Sequence, residues 1–365
     1  MKKIFAPLMA LVLAAASLTF AACSGNNNNE SDISNGIPDT KSTESEENLS
    51  ESDSDTSETK RDAEDPAEES AVIRTYALKG PTGMGMAKLM SDNEEGISSN
   101  KYDFTIASAP DELTAEIIKG NYDIAALPTN LAAVLYKKTG GKIRVAAVNT
   151  LGVLYILENG NTVNSIEDLA GKEIYATGQA STPEYILNYI LEANSIECDV
   201  TYLADHSELA AQMIAGTVSV GMLPVPNATT VMAQSEARIA LNLTEEWKKA
   251  AEAKGDDSAL YMGCIVINPD FVENHPEEVE QFLEEYKASV DYVNNNIDDA
   301  STLIEKYGIV PKAAIAKKAI PDANMVCITG DEMKNGLNGF YKVLHGFAPA
   351  SVGGELPADD IYYIK

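Results

Sequence analysis

Strand-forming and helix-forming segments alternate twice over between residues 71 and 365, and this rhythm restricts the chain to a few layered architectures. Residues 72–79 read as a strand, followed by Gly80-Pro81-Thr82-Gly83 and a helix from about Met84 to Asp92. Residues 103–107 and 122–127 read as strands flanking a helix that Pro110 and two acids open. A helix over 129–138 and a strand over 143–148 complete this first unit. The second unit repeats the pattern. Its strands fall at 173–177, 199–203 and 218–223, and its helices at 183–193, 208–215 and from about Thr229. The β-α-β-α order predicts an α/β fold whose mostly parallel sheets carry helices on both faces.

Two apolar segments bracket the second unit, residues 152–157 and 260–267, and long helices follow at 276–296 and 331–345. The simplest path leaves one lobe near 152, builds a second lobe and returns near 262. The expected boundaries are a first lobe over 71–153, a second over 154–262, and a return with C-terminal helices over 263–365. A body of this size is large for one core and natural for two.

The start of the chain is of another kind. Met1-Lys2-Lys3 is basic, residues 4–20 are almost wholly apolar, and Ala21-Ala22 lead into Cys23. That is the layout of an export signal over residues 1–22. A membrane-spanning helix is the competing reading, but the run falls short of the ~20 residues a bilayer requires. The Phe-Ala-Ala-Cys ending resembles the lipobox of bacterial lipoproteins, although Phe20 stands where Leu is usual. The resemblance implies that Cys23 is lipidated and holds the chain on the outer face of a bacterial cell membrane; cleavage near Ala22 without lipidation is the alternative. Residues 24–70 are mostly Asn, Ser, Asp and Glu, with almost no large apolar residue and a net charge of −12. Such a segment buries too little apolar surface to offset its ordering entropy, so 23–70 is expected to be a disordered acidic tether.

The body carries a net charge of −19. This excludes nucleic acid as a natural partner and disfavours adsorption to anionic lipid, leaving any anchor to hold the membrane. Cys198, Cys264 and Cys327 form no CxxC or Cys/His cluster, so neither a metal site nor a disulfide framework is signalled. His206, His275 and His345 are scattered, with no HExxH and no GxSxG elbow. Gly80, Gly83 and Gly85 fit neither GxGxxG nor a phosphate-binding P-loop.

In open α/β sheets, ligands bind beyond the carboxyl ends of the strands, near helix N-termini. Five loops qualify: Gly80 to Met84, Ser108 to Pro110, Pro128 to Asn130, Gly178 to Thr182, and Leu223 to Asn227. The candidate ligand-binding residues are Pro81, Thr82, Gly83, Met84, Ser108, Thr129, Asn130, Gln179, Ala180, Ser181, Thr182, Pro224 and Val225. Tyr155 and Tyr261 join them as rings able to stack on a planar solute or to pack the hinge. Taken singly, Ser181 or Thr182 serves equally well as a helix cap. No loop contains Lys or Arg, which fits a neutral or zwitterionic solute, or an anion held by helix ends.

Residues 77–90 (ALKGPTGMGMAKLM), 175–187 (YATGQASTPEYIL), 221–226 (GMLPVP) and 351–357 (SVGGELP) together resemble solute-binding lipoproteins of ABC importers. The resemblance is to the type II periplasmic-binding fold, in the branch that binds sulfonates, nitrate, taurine and thiamine pyrimidines. It implies two lobes joined by two crossing hinge strands that close over a small solute, without catalysis or cofactor. It also implies a monomer whose partners are a membrane permease and, through it, an ATPase. Two alternatives stand beside it. One is a lipoprotein that signals to a sensor; the other is an enzyme like the fungal thiamine-pyrimidine synthase, which would require a cysteine-rich iron-binding segment and a substrate histidine in the cleft.

Overall fold

The computed structural model describes residues 72–255 and 258–365. The export signal, Cys23 and the acidic tether expected from the sequence lie outside the described residues. Eleven strands form two sheets among the described residues. The first sheet has six strands and the second five.

The first sheet starts with β1 (Val72–Leu78), β2 (Lys101–Ala107), β3 (Ile124–Pro128) and β4 (Arg144–Thr150). Between them run α1 (Pro81–Met84), α2 (Ala87–Glu94), α3 (Pro110–Lys119) and α4 (Thr129–Thr139). β1 pairs in parallel with β2 and β3. The chain then crosses to the second sheet, where β5 (Leu154–Glu158), β6 (Glu173–Thr177), β7 (Asp199–Leu203), β8 (Val220–Pro224) and β9 (Arg238–Asn242) lie. α5 (Thr182–Ala193), α6 (His206–Ile214), α7 (Asn227–Gln234) and α8 (Leu243–Ala253) connect or follow them.

On its return the chain enters β10 (Gly263–Ile267), which slots antiparallel between β3 and β4. β5 is its counterpart, antiparallel between β8 and β9. The two apolar bracketing segments are therefore central strands, one per sheet, and the crossings proper are the short stretches before them. β5 and β10 are buried at every position, which is why the sequence shows continuous apolar runs there instead of alternation. The remaining elements are α9 (Pro269–Asn274), α10 (Pro276–Asn295), α11 (Ile297–Lys306), α12 (Ala313–Ala319), β11 (Met325–Ile328) and α13 (Gly330–Phe347). β11 covers only the end of β4, and the C-terminal tail covers its start, with the Tyr363 N–H donating to the Val145 carbonyl at 2.9 Å.

Apolar residues form two layers, and each layer contains residues of both sheets. One joins α3, α4 and α13 to α5 and α8. The other joins α2, α10, α11 and α12 to α6 and α7. The lobes thus share their cores instead of touching only at the crossings.

Candidate ligand-binding cleft

The residues that follow β1 and β3 meet those that follow β8 and β6, so the helices after these strands present their N-termini to the opposite lobe. Pro at the first or second position fits the starts of α1, α3 and α5, where an N–H has no intrahelical partner to lose. Thr182 at the start of α5 and Asn130 at the start of α4 meet directly. The Thr182 hydroxyl donates to Asn130 Oδ1 at 2.5 Å, and the two residues are 3% and 8% exposed. On the other side of the cleft, Gly80 faces Pro226, whose Cδ would lie 3.8 Å from a Cβ placed on the glycine. Gly80 has φ +89°, a conformation that a side chain would disfavour. A third bridge runs from the Tyr155 hydroxyl on β5 to the carbonyl of Asp322 in the first lobe, at 3.3 Å. Burial first, then the nearby carboxylates of Asp322 and Glu245, push the Tyr155 phenol up to about 12.

The other candidates divide between wall and frame. The Thr82 carbonyl accepts from Asn149 Nδ2 at 3.3 Å, and Asn149 Oδ1 accepts from the Thr150 hydroxyl at 3.1 Å. Thr82, Asn149 and Thr150 close around Gly263, where a Cβ would come within 2.9 Å of the Thr82 methyl. Gly83 lies equally tight against the Leu78 carbonyl, and Met84 is wholly buried in the core beneath. Thr129 is locked to the return crossing: its N–H donates to the Met262 carbonyl at 3.1 Å, its hydroxyl donates to the Tyr261 carbonyl, and its own carbonyl accepts from the Tyr341 hydroxyl. Tyr261 packs its ring on Gly336 of α13. Pro81, Ser181 and Pro224 are half-buried, and Val225 is buried with its N–H on the Val153 carbonyl at 3.2 Å.

Ser108, Gln179 and Ala180 are exposed. Here the loop amides are served by the chain itself. Ser108 N–H donates to Glu112 at 3.3 Å and Ala180 N–H to Glu184 at 2.5 Å. The Ser181 hydroxyl turns back to the Gly178 carbonyl at 2.7 Å, so neither Ser181 nor Thr182 caps α5 through its side chain.

Thr177, His206 and Thr229 stand at further strand ends and helix starts of the second lobe and were not among the ligand-binding candidates. Thr177 ends β6, and its hydroxyl lies 2.5 Å from His206 Nδ1 at the start of α6. Burial holds the His206 pKa below the usual histidine value, with Asp205 acting weakly the other way. Thr229, in the first turn of α7, is buried with no partner for its hydroxyl among the described residues. The signal was available, since each stands within three residues of a strand end or of a Pro break. Two shallow hollows, one lined by Asn164, Glu167, Glu246 and Lys249 and one by Lys88, Glu95 and Tyr292, lie away from the cleft. No group of His, Cys, Asp or Glu among the described residues is placed to hold a metal ion.

Two α/β lobes, a double crossing and a return strand inserted beside the third strand define the two-lobed type II periplasmic-binding fold. Residues 149–300 match the sequence model of the family described as NMT1/THI5 like. An ABC transporter protein from Parabacteroides distasonis is similar at 24% identity and TM-score 0.68, over 80% of this chain and 99% of that one. The periplasmic aliphatic sulphonate binding protein SsuA from Escherichia coli is similar at 14% identity and TM-score 0.62, over 80% and 90% of the two chains. The periplasmic nitrate-binding protein NrtA from Synechocystis PCC 6803 is similar at 12% identity and TM-score 0.51, over 70% of each chain. No curated protein sequence is similar enough to count as a relative.

Proposed function

We propose that this chain is the extracytoplasmic solute-binding lipoprotein of an ABC importer, capturing a small polar solute between its lobes and passing it to a permease. The observation that carries the reading is the meeting of helix starts across the cleft. Thr182 and Asn130 come from different lobes and are buried against each other. Walls that meet through hydrogen-bonding groups, near glycine-lined backbone, suit a polar molecule that inserts between them and is enclosed by closure. The fold shared with sulphonate- and nitrate-binding proteins supports the same role. Binding is the whole of the proposed activity, with no cofactor, and detectable turnover of a bound solute by the purified protein would refute that part.

Cys23 is the proposed lipid attachment point, and the acidic segment after it the proposed tether. Replacing Cys23 with Ser should release the protein from the membrane fraction; retention would refute the anchor. Among the described residues no helix is long and apolar enough to cross a membrane. For the solute, a thermal-shift screen of alkanesulfonates, nitrate, pyrimidines, flavins and small peptides tests the reading, because a ligand of the native state raises the melting temperature by mass action. A hit unaffected by joint replacement of Gln179, Ser181 and Thr182 would place the site elsewhere.

A further inference from the structure

The two crossings change allegiance within a few residues, and the two change-over points touch. On the outward crossing, Leu151 N–H donates to the Asn324 carbonyl at 3.1 Å, and Asn324 Nδ2 donates to the Gly152 carbonyl at 2.6 Å. The chain is therefore tied to the first lobe as far as Gly152. One residue later, the Val153 carbonyl accepts from Val225 N–H of the second lobe. On the return, the Ser258 carbonyl accepts from Trp247 Nε1 of α8 at 3.1 Å. Met262 N–H already donates to the Thr150 carbonyl of the first lobe at 2.9 Å. The return changes over between Ala259 and Tyr261.

Gly152 is where these points converge. A methyl in place of its hydrogen would overlap the Thr244 hydroxyl, and would lie 3.0 Å from Thr244 Cβ and 3.1 Å from Leu260 Cδ1. Thr244 belongs to the second lobe, in the first turn of α8, and its N–H is held by the Asn242 side chain at 3.0 Å. Its hydroxyl is buried with no hydrogen-bond partner among the described residues. Asn130 on Thr182 and Gly80 against Pro226 bring the two lobes into contact, the arrangement that closure requires. In this form the hinge leaves room for a hydrogen only and keeps one hydroxyl away from water, and an unmet buried hydroxyl is costly.

We propose that Gly152 and Thr244 form a hinge stop that opposes closure, so that the solute-free protein is closed only part of the time and contacts with the solute supply the rest. Rotation between the lobes separates Thr244 from Gly152 and hydrates the hydroxyl. The stop lies outside the cleft and sets apparent affinity through the fraction of molecules able to close. That consequence rests on the solute-capture reading; the stop itself does not.

Hydrogen–deuterium exchange of the full chain, without solute, tests it. Peptides covering 128–135 and 178–187 report the cleft, and peptides covering β2 and β7 report the integrity of each lobe. Gly152→Ala should raise exchange in both cleft peptides several-fold and leave β2 and β7 protected. Thr244→Val keeps the shape and removes the unmet hydroxyl, so it should slow exchange in the cleft. Combining Gly152→Ala with Thr244→Ala should return the cleft toward the parent value. Should Gly152→Ala fail to fold, Thr244→Val against the parent decides alone. Cleft exchange unchanged in Thr244→Val, or changed equally in β2 and β7, would overturn the hinge stop. Either result would leave solute capture standing, because no solute enters the experiment.

Discussion

At the residue scale, the contact between Asn130 and Thr182 makes the sharpest claim. Thr182→Val keeps the shape of the side chain and leaves the buried Asn130 carbonyl oxygen without its donor. The expected loss is about 1–3 kcal/mol in urea unfolding with a stabilising solute bound, the range for a buried acceptor left unsatisfied. A loss near zero would show that the two helix starts part freely in solution. His206 makes a second claim. Its folded pKa lies below the ordinary histidine value of about 6.5 because burial disfavours the charged form. Between the two values the unfolded chain binds more protons than the folded one, so stability falls as pH drops below about 6.5 and levels off once the folded pKa is passed. His206→Gln should flatten that part of a stability-versus-pH curve, and an unchanged slope would assign the loss to other groups. Individual partners of this kind were not legible in the sequence. Asn130 and Thr182 were both candidates for the site, but nothing in a linear chain says that residues this far apart face each other.

At the element scale, α13 ties the crossings to both lobes. Gly336 and Gly339 open a groove in which Tyr261 and Ser258 of the return crossing lie. Phe340 packs on Trp247 of α8 with centroids 5.6 Å apart, and Phe347 meets Tyr189 of α5 edge-on at 6.4 Å. Gly336→Ala would drive a methyl into the Tyr261 ring, and overpacking of this kind typically costs about 1–3 kcal/mol. Gly346, on the same helix, faces open space. Gly346→Ala should therefore stabilise by about 0.5–1 kcal/mol through helix propensity alone. Opposite shifts in thermal melts of the two variants are the expected result, and shifts of the same sign would mean that the groove does not hold the crossing.

Much at this scale was readable in the sequence. The apolar spacing and the Pro starts gave α5, α10 and α13 to within a few residues, and the strand–helix rhythm gave most of both sheets. Several features escaped, β11 and α9 among them. The helix expected from Met84 begins at Ala87 as α2, with the short α1 before it and Gly85 between them packed against the Tyr286 hydroxyl with no room for a side chain. β9 was passed over because Arg238 and Asn242 bound a short core of three apolar residues. α8, α11 and α12 were passed over too; α12 buries only Ala316 and Ala319 and carries little hydrophobic signal, whereas Leu243 and Trp247 of α8 and Ile304 of α11 lie on apolar faces that were there to be read.

At the scale of the whole molecule, the shared core predicts how the protein unfolds. Trp247 is the sole tryptophan of the chain, buried between Tyr189 of its own lobe and Phe340 of the other. Emission from Trp247 and far-ultraviolet circular dichroism should therefore report one coincident transition in denaturant. Phe340→Ala, which truncates a fully buried aromatic, should lower stability by about 3–5 kcal/mol. Two separated transitions in the parent protein would mean that the lobes fold independently. The two-lobed plan was legible from chain length and from the doubled rhythm. The extent of contact between the lobes was not, since it depends on how far closed they sit.

Solute capture requires enclosure of the solute between those lobes. The most direct measurement is hydrogen–deuterium exchange of the full chain with and without a solute identified by thermal shift. Peptides at the starts of α4 and α5, one from each lobe, should gain protection together, and joint replacement of Gln179, Ser181 and Thr182 should abolish both gains. A stabilising solute that protects only one lobe, or that protects residues away from the cleft, would contradict it.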